Sequence, residues 1–192
     1  MVRLPLLLWL GVVFLRHLGD REYQSLFGGL NLGIHEVGHY LFMPFGVMPL
    51  GEFGMIAGGT LLQLAAPIVA AWMFLRQEDY FGIAVAVCWL GTSLYGVARY
   101  AEDARARMLN LVSPGSGTPI HDWHYLLGRT GLLEQDQLVG SLLRLLGAGS
   151  LATGLVGGGW LLWIMHRPDS GAEEGAPKRT TAAPAPEPEL RR

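Results

Sequence analysis

The sequence predicts an all-α fold, a polytopic helical membrane protein with about five transmembrane helices. Three observations predict it. Hydrophobic residues make up 51% of the 192-residue chain and charged residues 16%, which is too apolar for an ordinary soluble domain. Apolar runs approaching the roughly 20 residues needed to cross a bilayer recur along the chain. Strand-type alternation is weak throughout, and the glycine-rich residues 46–59 are the one place where a small hairpin or re-entrant turn is expected.

The elements follow in order. "LPLLLWLGVVFL" (residues 4–15) comes after Arg3 as a signal peptide would, but "RHLGDREY" follows in place of a small-residue cleavage site. A short retained span or signal anchor is therefore expected, with residues 1–25 as N-terminal anchor and loop. The second run, 26–47, carries "HEVGH" near its middle, and the third, 55–75, contains Gln63 and Pro67. The fourth, 80–98, follows the short polar link "RQED". Residues 99–144 are polar, except that 126–133 read as a half-inserted or interfacial helix. The fifth run, 145–165, is rich in glycine and ends in "WLLWIMHR", where tryptophan and a cation suit a membrane interface. Its "GGG" (Gly157, Gly158, Gly159) permits close helix packing, within the chain or between copies, so the oligomeric state is open. On this reading 26–136 form the membrane core, 137–167 the last span, and 168–192, rich in proline, alanine and charge, a disordered tail. Arg99, Arg105, Arg107 and Arg129 make the central stretch the most basic loop and place it, with the N-terminus, in the cytoplasm. Arg16, Arg21 and Arg76 weigh weakly the other way.

Composition also excludes function classes. A net charge of −2 with no basic cluster gives no footprint for nucleic acid. Cys88 is the single cysteine, so neither an internal disulfide nor a thiolate metal cluster can form; within "VAVCWLG" it reads as a buried, inert thiol.

An ionisable side chain at membrane depth is costly and needs a partner. In "HEVGH", His35 and His39 stand four residues apart and share a helix face, so both imidazoles can reach one ion. Glu36 then projects beside it as a general base toward water, the arrangement of zinc hydrolases. The alternative is a packing pair of histidines with an incidental glutamate lining a polar cavity. Asn31, one turn earlier, is either a hydrogen-bonding support for a ligand or a helix-packing contact. A catalytic zinc takes three protein ligands and leaves one position open. His17 and His166 lie at the ends of apolar runs and read as interfacial, which leaves "HDWHYLL", with His121, Asp122 and His124, as the source of the third. The alternative there is a polar loop with a helix N-cap at Asp122. Asp103, in "RYAEDARAR", is a weaker candidate because that stretch reads as a solvated helix end.

This order of motifs resembles the site-2 protease family of intramembrane zinc metalloproteases. "HEVGHYLFMPFGV" followed by "GEFGMIAGGTLLQLAAPIVAAW" is similar to the family's HExxH helix, turn and Gly/Pro-containing next helix. "PIHDWHYLLG" stands where the family has its Leu-Asp-Gly segment. The resemblance covers about half the chain, residues 26–128, and implies a three-helix core. It also implies His35, His39 and Asp122 as zinc ligands and Glu36 as general base. Trp123 replaces the family's glycine and two histidines flank the aspartate, so the third ligand stays open among Asp122, His124 and His121, in that order, with the spare histidines read as supports behind a ligand or as the mark of a different substrate.

The implied activity is a zinc metallopeptidase that hydrolyses a peptide bond in or near a membrane segment of a protein substrate. The implied location is the inner (plasma) membrane of a bacterium, and there is no room for an appended substrate-sorting domain. An edge or gate around residues 51–59 is expected to hold an extended substrate strand. Two other readings compete: a non-catalytic membrane protein with a structural or sensing metal site, and a zinc-dependent hydrolase of a membrane lipid or other amide.

Overall fold

The computed structural model describes residues 3–44, 51–111 and 120–167. Among them the fold is all-helical: α1 (Arg3–Gly19), α2 (Phe27–Phe42), α3 (Gly51–Arg76), α4 (Tyr80–Glu102), α5 (Asp122–Thr130) and α6 (Asp136–Met165), with a 3₁₀ turn (Leu133–Gln135) before α6. Three helical segments are long and apolar enough to cross a membrane: Gly51–Arg76, Tyr80–Glu102 and Leu133–Met165. Three of the five expected spans thus meet the length and composition of a crossing helix. With 17 and 16 residues, α1 and α2 rise only about 25 Å, short of the roughly 30 Å hydrocarbon core. The last helix starts well before the expected 145 because Asp136 is held at its first turn by Arg105, 2.7 Å away. The expected tail, 168–192, lies outside the described residues.

The hairpin expected at 46–59 is corrected. Residues 45–50 lie outside the described residues, and Gly51 onward is α3. Its glycines serve contact between helices: a Cβ on Gly38 of α2 would lie 2.3 Å from the Gly58 carbonyl oxygen of α3, so this crossing depends on the missing side chains. Helical hydrogen bonding here also leaves no strand edge for a substrate, which removes the expected gate from 51–59.

The packing centre is α4 against α6. The buried positions of α6, Asp136, Gly140, Gly147, Leu151, Gly154, Gly158 and Leu162, recur at steps of three, four or seven residues and form one face. A Cβ would strike the facing helix at Gly154 of α6, 2.5 Å from Cys88 Sγ, and at Gly91 of α4, 2.8 Å from the Gly147 oxygen. Contacts pair Gly91 with Gly147 and Cys88 with Gly154, so the two helices run antiparallel. Cys88 is fully buried, its thiol 3.8 Å from the Leu151 carbonyl, as expected of an inert cysteine. Within "GGG" only Gly158 has close neighbours, notably Leu7 of α1 at 2.8 Å, while nothing approaches Gly157.

Ion pairs gather where α4 ends and α6 begins: Arg144–Glu102 at 2.6 Å, Arg21–Glu102 at 3.0 Å and Arg99–Glu22 at 2.8 Å. They tie the end of α1 and its following loop to the polar end of the bundle.

Gly91→Val should lower the stability of the detergent-solubilised protein by about 1–3 kcal/mol through overpacking. Gly157→Ala, at a site with nothing within 4 Å, should leave the unfolding temperature unchanged in the same thermal melt.

Candidate metal centre

The site starts from helix periodicity. His35 and His39 project from α2 toward α3, their ring centroids 4.8 Å apart. Gly59 of α3 faces them: a Cβ there would lie 2.6 Å from the Nε2 of each imidazole. Any residue other than glycine would fill the space in front of both nitrogens.

The far side of each ring is pinned. His39 Nδ1 lies 3.0 Å from the Met55 carbonyl oxygen, which can only accept, so this nitrogen carries the proton. Gln63 donates its Nε2–H to the Ser93 carbonyl at 3.3 Å and so presents Oε1 to His35 Nδ1 at 3.2 Å. His35 Nδ1 therefore also donates. In the neutral imidazoles both Nε2 lone pairs point inward. There they meet Asp122 Oδ2, 2.8 Å from His35 Nε2 and 3.0 Å from His39 Nε2, with 3.1 Å between the two nitrogens. Three electron-rich atoms at such separations repel one another unless positive charge lies among them. The group is buried or half-buried and could hold a metal ion. Among the described residues it is the one such cluster of histidine, cysteine and carboxylate side chains.

Asp122 reaches the imidazoles because it is the first residue of α5 and not its cap. The expected N-cap at Asp122 is displaced by one residue: His121 Nδ1 accepts the His124 N–H at 3.2 Å. With Nδ1 accepting, His121 Nε2 donates to Asp103 Oδ2 at 3.1 Å. His124 Nδ1 donates to the Ala104 carbonyl at 2.8 Å, and the Asp122 N–H donates to the Tyr100 hydroxyl at 3.1 Å. These contacts bolt the first turn of α5 to the end of α4. Both histidines of "HDWH" are thus turned away from His35 and His39, which corrects their candidacy as the third ligand. A left-handed Gly131 (φ 73°) ends α5, with the Leu132 N–H donating back to the Leu127 carbonyl at 2.8 Å.

Asp103 is not the solvated carboxylate expected of a charged helix end. Burial favours its neutral form, but the Leu109 and Met108 amides and the His121 side chain all donate to it and hold its carboxyl below the usual range. It organises the turn after α4, where Arg107 adopts a left-handed φ of 50°.

The Glu36 side chain makes no hydrogen bond or ion pair among the described residues. It lines a cavity of about 770 Å³ together with His35, His39, Asp122 and Tyr100. Met108, Asn110 and Ile120 also line it, so the cavity borders the central polar segment.

Asn31 serves packing: its Oδ1 accepts from Trp89 Nε1 at 2.7 Å and Ser93 Oγ at 3.2 Å, and among the described residues it makes no hydrogen bond to either imidazole. His17, expected at an interface, is 7% exposed and stacks on Tyr95 with centroids 4.3 Å apart. His166 is exposed and bonds its own helix at the Leu162 carbonyl, 2.8 Å away, as an end-of-helix residue does. Sequence reasoning missed three supports: Gln63, Tyr100 and the Met55 carbonyl. Gln63 carried a signal, since a glutamine inside an apolar run needs a partner. A backbone oxygen carries none. No family model, curated protein or solved structure matches the chain.

Purified protein should bind about one divalent ion per chain by elemental mass spectrometry. His35→Ala or Asp122→Ala should abolish binding, and His124→Ala should retain it. Gln63→Leu and His121→Ala, which remove supports and no donor, should weaken binding about 10–100-fold in competition with a chelator.

Proposed function

We propose that this chain is an intramembrane zinc metallopeptidase of the site-2 protease type, hydrolysing a peptide bond in or near a membrane segment of a protein substrate. The observation that carries the reading is the convergence of two tautomer-fixed imidazoles and one carboxylate on a single point. The point lies at the wall of a cavity also lined by Glu36, whose carboxylate has no hydrogen-bond or ion-pair partner among the described residues. Two nitrogens and one oxygen suit zinc, and three protein donors leave a coordination position free. Bound there, zinc supplies Lewis acidity toward water and a carbonyl oxygen.

The chain's own residues do the rest. His35, His39 and Asp122 hold the ion, and Gln63 and the Met55 carbonyl keep both imidazoles turned inward. Glu36 takes a proton from the attacking water and returns it to the amine that leaves as the C–N bond breaks. Without a hydrogen-bonding partner among the described residues, its carboxylate is free to turn toward either. The cavity gives water a route from the side of the central segment, and an extended stretch of substrate a place to lie. A substrate helix has to unwind locally to present its carbonyl there, since helical carbonyls are already hydrogen-bonded. The multi-pass topology, with α1 and α2 as short membrane helices, and a bacterial inner-membrane location belong to the same proposal.

A purely structural metal site is disfavoured because His121 and His124, either of which would complete four protein ligands, are committed to Asp103 and Ala104. Hydrolysis of a membrane lipid amide would use the same groups and differ only in substrate.

Glu36→Gln should keep its full metal content while losing about 10²–10⁴-fold of the cleavage rate on membrane-spanning peptides in proteoliposomes. Undiminished cleavage by this variant would remove the peptidase reading. Release of fatty acid from amide-linked lipids, with membrane peptides left intact, would redirect it to a lipid amidase.

A further inference from the structure

When Glu36 takes the proton of water, the carbonyl oxygen of the substrate gains negative charge in the same step, and a carboxylate has no hydrogen to offer it. That oxygen needs a donor beside the metal ligands. Several polar hydrogens there are already committed. Gln63 Nε2 donates to the Ser93 carbonyl, His39 Nδ1 to the Met55 carbonyl, His121 Nε2 to Asp103 and His124 Nδ1 to the Ala104 carbonyl. Tyr100 differs. Its hydroxyl accepts the Asp122 N–H at 3.1 Å, and its own hydrogen has no acceptor among the described residues.

The hydroxyl stands close to where the imidazoles converge. By covalent geometry the backbone nitrogen and carboxylate oxygens of one aspartate are about 3–4.5 Å apart. Measured through Asp122, the Tyr100 oxygen is therefore within about 7.5 Å of Oδ2. That atom lies 2.8 Å from His35 Nε2 and 3.0 Å from His39 Nε2. The Tyr100 ring has its centroid 6.0 Å from that of His35 and 4.5 Å from that of His121. Tyr100 is half-buried and lines the same cavity as Glu36, His35, His39 and Asp122. The incoming Asp122 N–H occupies one lone pair, so the hydroxyl hydrogen turns away from it. A ring packed against two histidines keeps this donor in place before charge develops, the condition under which such a donor acts most strongly.

We propose that Tyr100 is a catalytic residue whose hydroxyl donates a hydrogen bond to the oxygen of the scissile carbonyl, a role that rests on the peptidase reading above and deepens it by naming the group that stabilises the developing charge. No proton leaves Tyr100. As the oxygen of the attacking water bonds to the carbonyl carbon, the C=O electron pair shifts to the carbonyl oxygen, and the hydroxyl binds it more tightly as its charge grows. The pair returns to the C=O bond as the C–N bond breaks and Glu36 passes its proton to the leaving amine.

Two apolar tripeptide probes of one sequence test this role in the full-length protein kept saturated with zinc. The first ends in a thiol, which offers the ion sulfur and places no oxygen at the reacting position. The second carries a phosphinate in place of the scissile bond, with negative charge shared by two oxygens on a tetrahedral centre. Binding of each is measured calorimetrically in wild type and in Tyr100→Phe, which keeps the ring. Tyr100→Met, also without a hydroxyl, replaces it should Tyr100→Phe fail to fold. The thiol should bind both proteins equally, and the phosphinate should bind Tyr100→Phe about 10–100-fold more weakly. Equal losses for the two probes would mean that Tyr100 acts only by holding Asp122, and would overturn the role. Undiminished phosphinate affinity in Tyr100→Phe would overturn it as well, with the peptidase reading intact. Failure of both probes to bind wild type would overturn the peptidase reading and this inference with it.

Discussion

Everything at the centre of this molecule depends on which nitrogen of two imidazoles carries a proton. The Met55 carbonyl and the Gln63 amide oxygen each claim an Nδ1–H, and this turns two lone pairs toward the same carboxylate oxygen. A histidine pair without those acceptors would be free to donate to Asp122 and form an ordinary buried hydrogen-bond network. With them, the cluster is left short of positive charge, the condition under which a cation is held strongly. The residues behind the ligands therefore decide the chemistry of the ligands.

The surrounding architecture follows from how closely helices must approach to bring those groups together. Gly38 and Gly58 let α2 and α3 meet at backbone distance, and Gly59 keeps the space before the imidazoles clear. On the other side, α4 is held against α6 by a run of glycines and offers Ser93 to Gln63 and Tyr100 to the Asp122 amide. Ion pairs at the polar end add register: Arg144 and Arg21 share Glu102, and Arg105 spans Glu134 and Asp136. Tight apolar packing and a polar end wall thus act on the same few helices, and the cavity lies where they part.

Much of this was legible beforehand, and the gaps have physical causes. The four-residue spacing of His35 and His39 specified one helix face from local periodicity alone. Bringing Asp122 to them is a contact 87 residues away in sequence from His35, which no local pattern encodes; a motif resemblance pointed to it. Whether His121 and His124 were ligands or hydrogen-bonding supports was not legible, because a histidine is a common ligand and an uncommon helix cap, and the choice depends on Asp103 and Ala104 lying opposite. The glycines of 51–59 suggested a turn because glycine is permissive in isolation. Against a facing helix the same residues mark contact, and only the neighbour reveals the difference. The first two expected spans come out as helices of only 17 and 16 residues, because apolar composition alone does not report where a helix ends.

The sequence distance between His35 and Asp122 has one more consequence. An ion gripped by both would clip together the ends of a loop of nearly ninety residues that contains α3 and α4. Pinning so long a loop removes conformational freedom chiefly from the unfolded chain, and the entropy withheld grows with the logarithm of loop length. The same atom that serves chemistry would then act as a fastener for the whole fold, so the protein's resistance to unfolding would rise and fall with the supply of the metal.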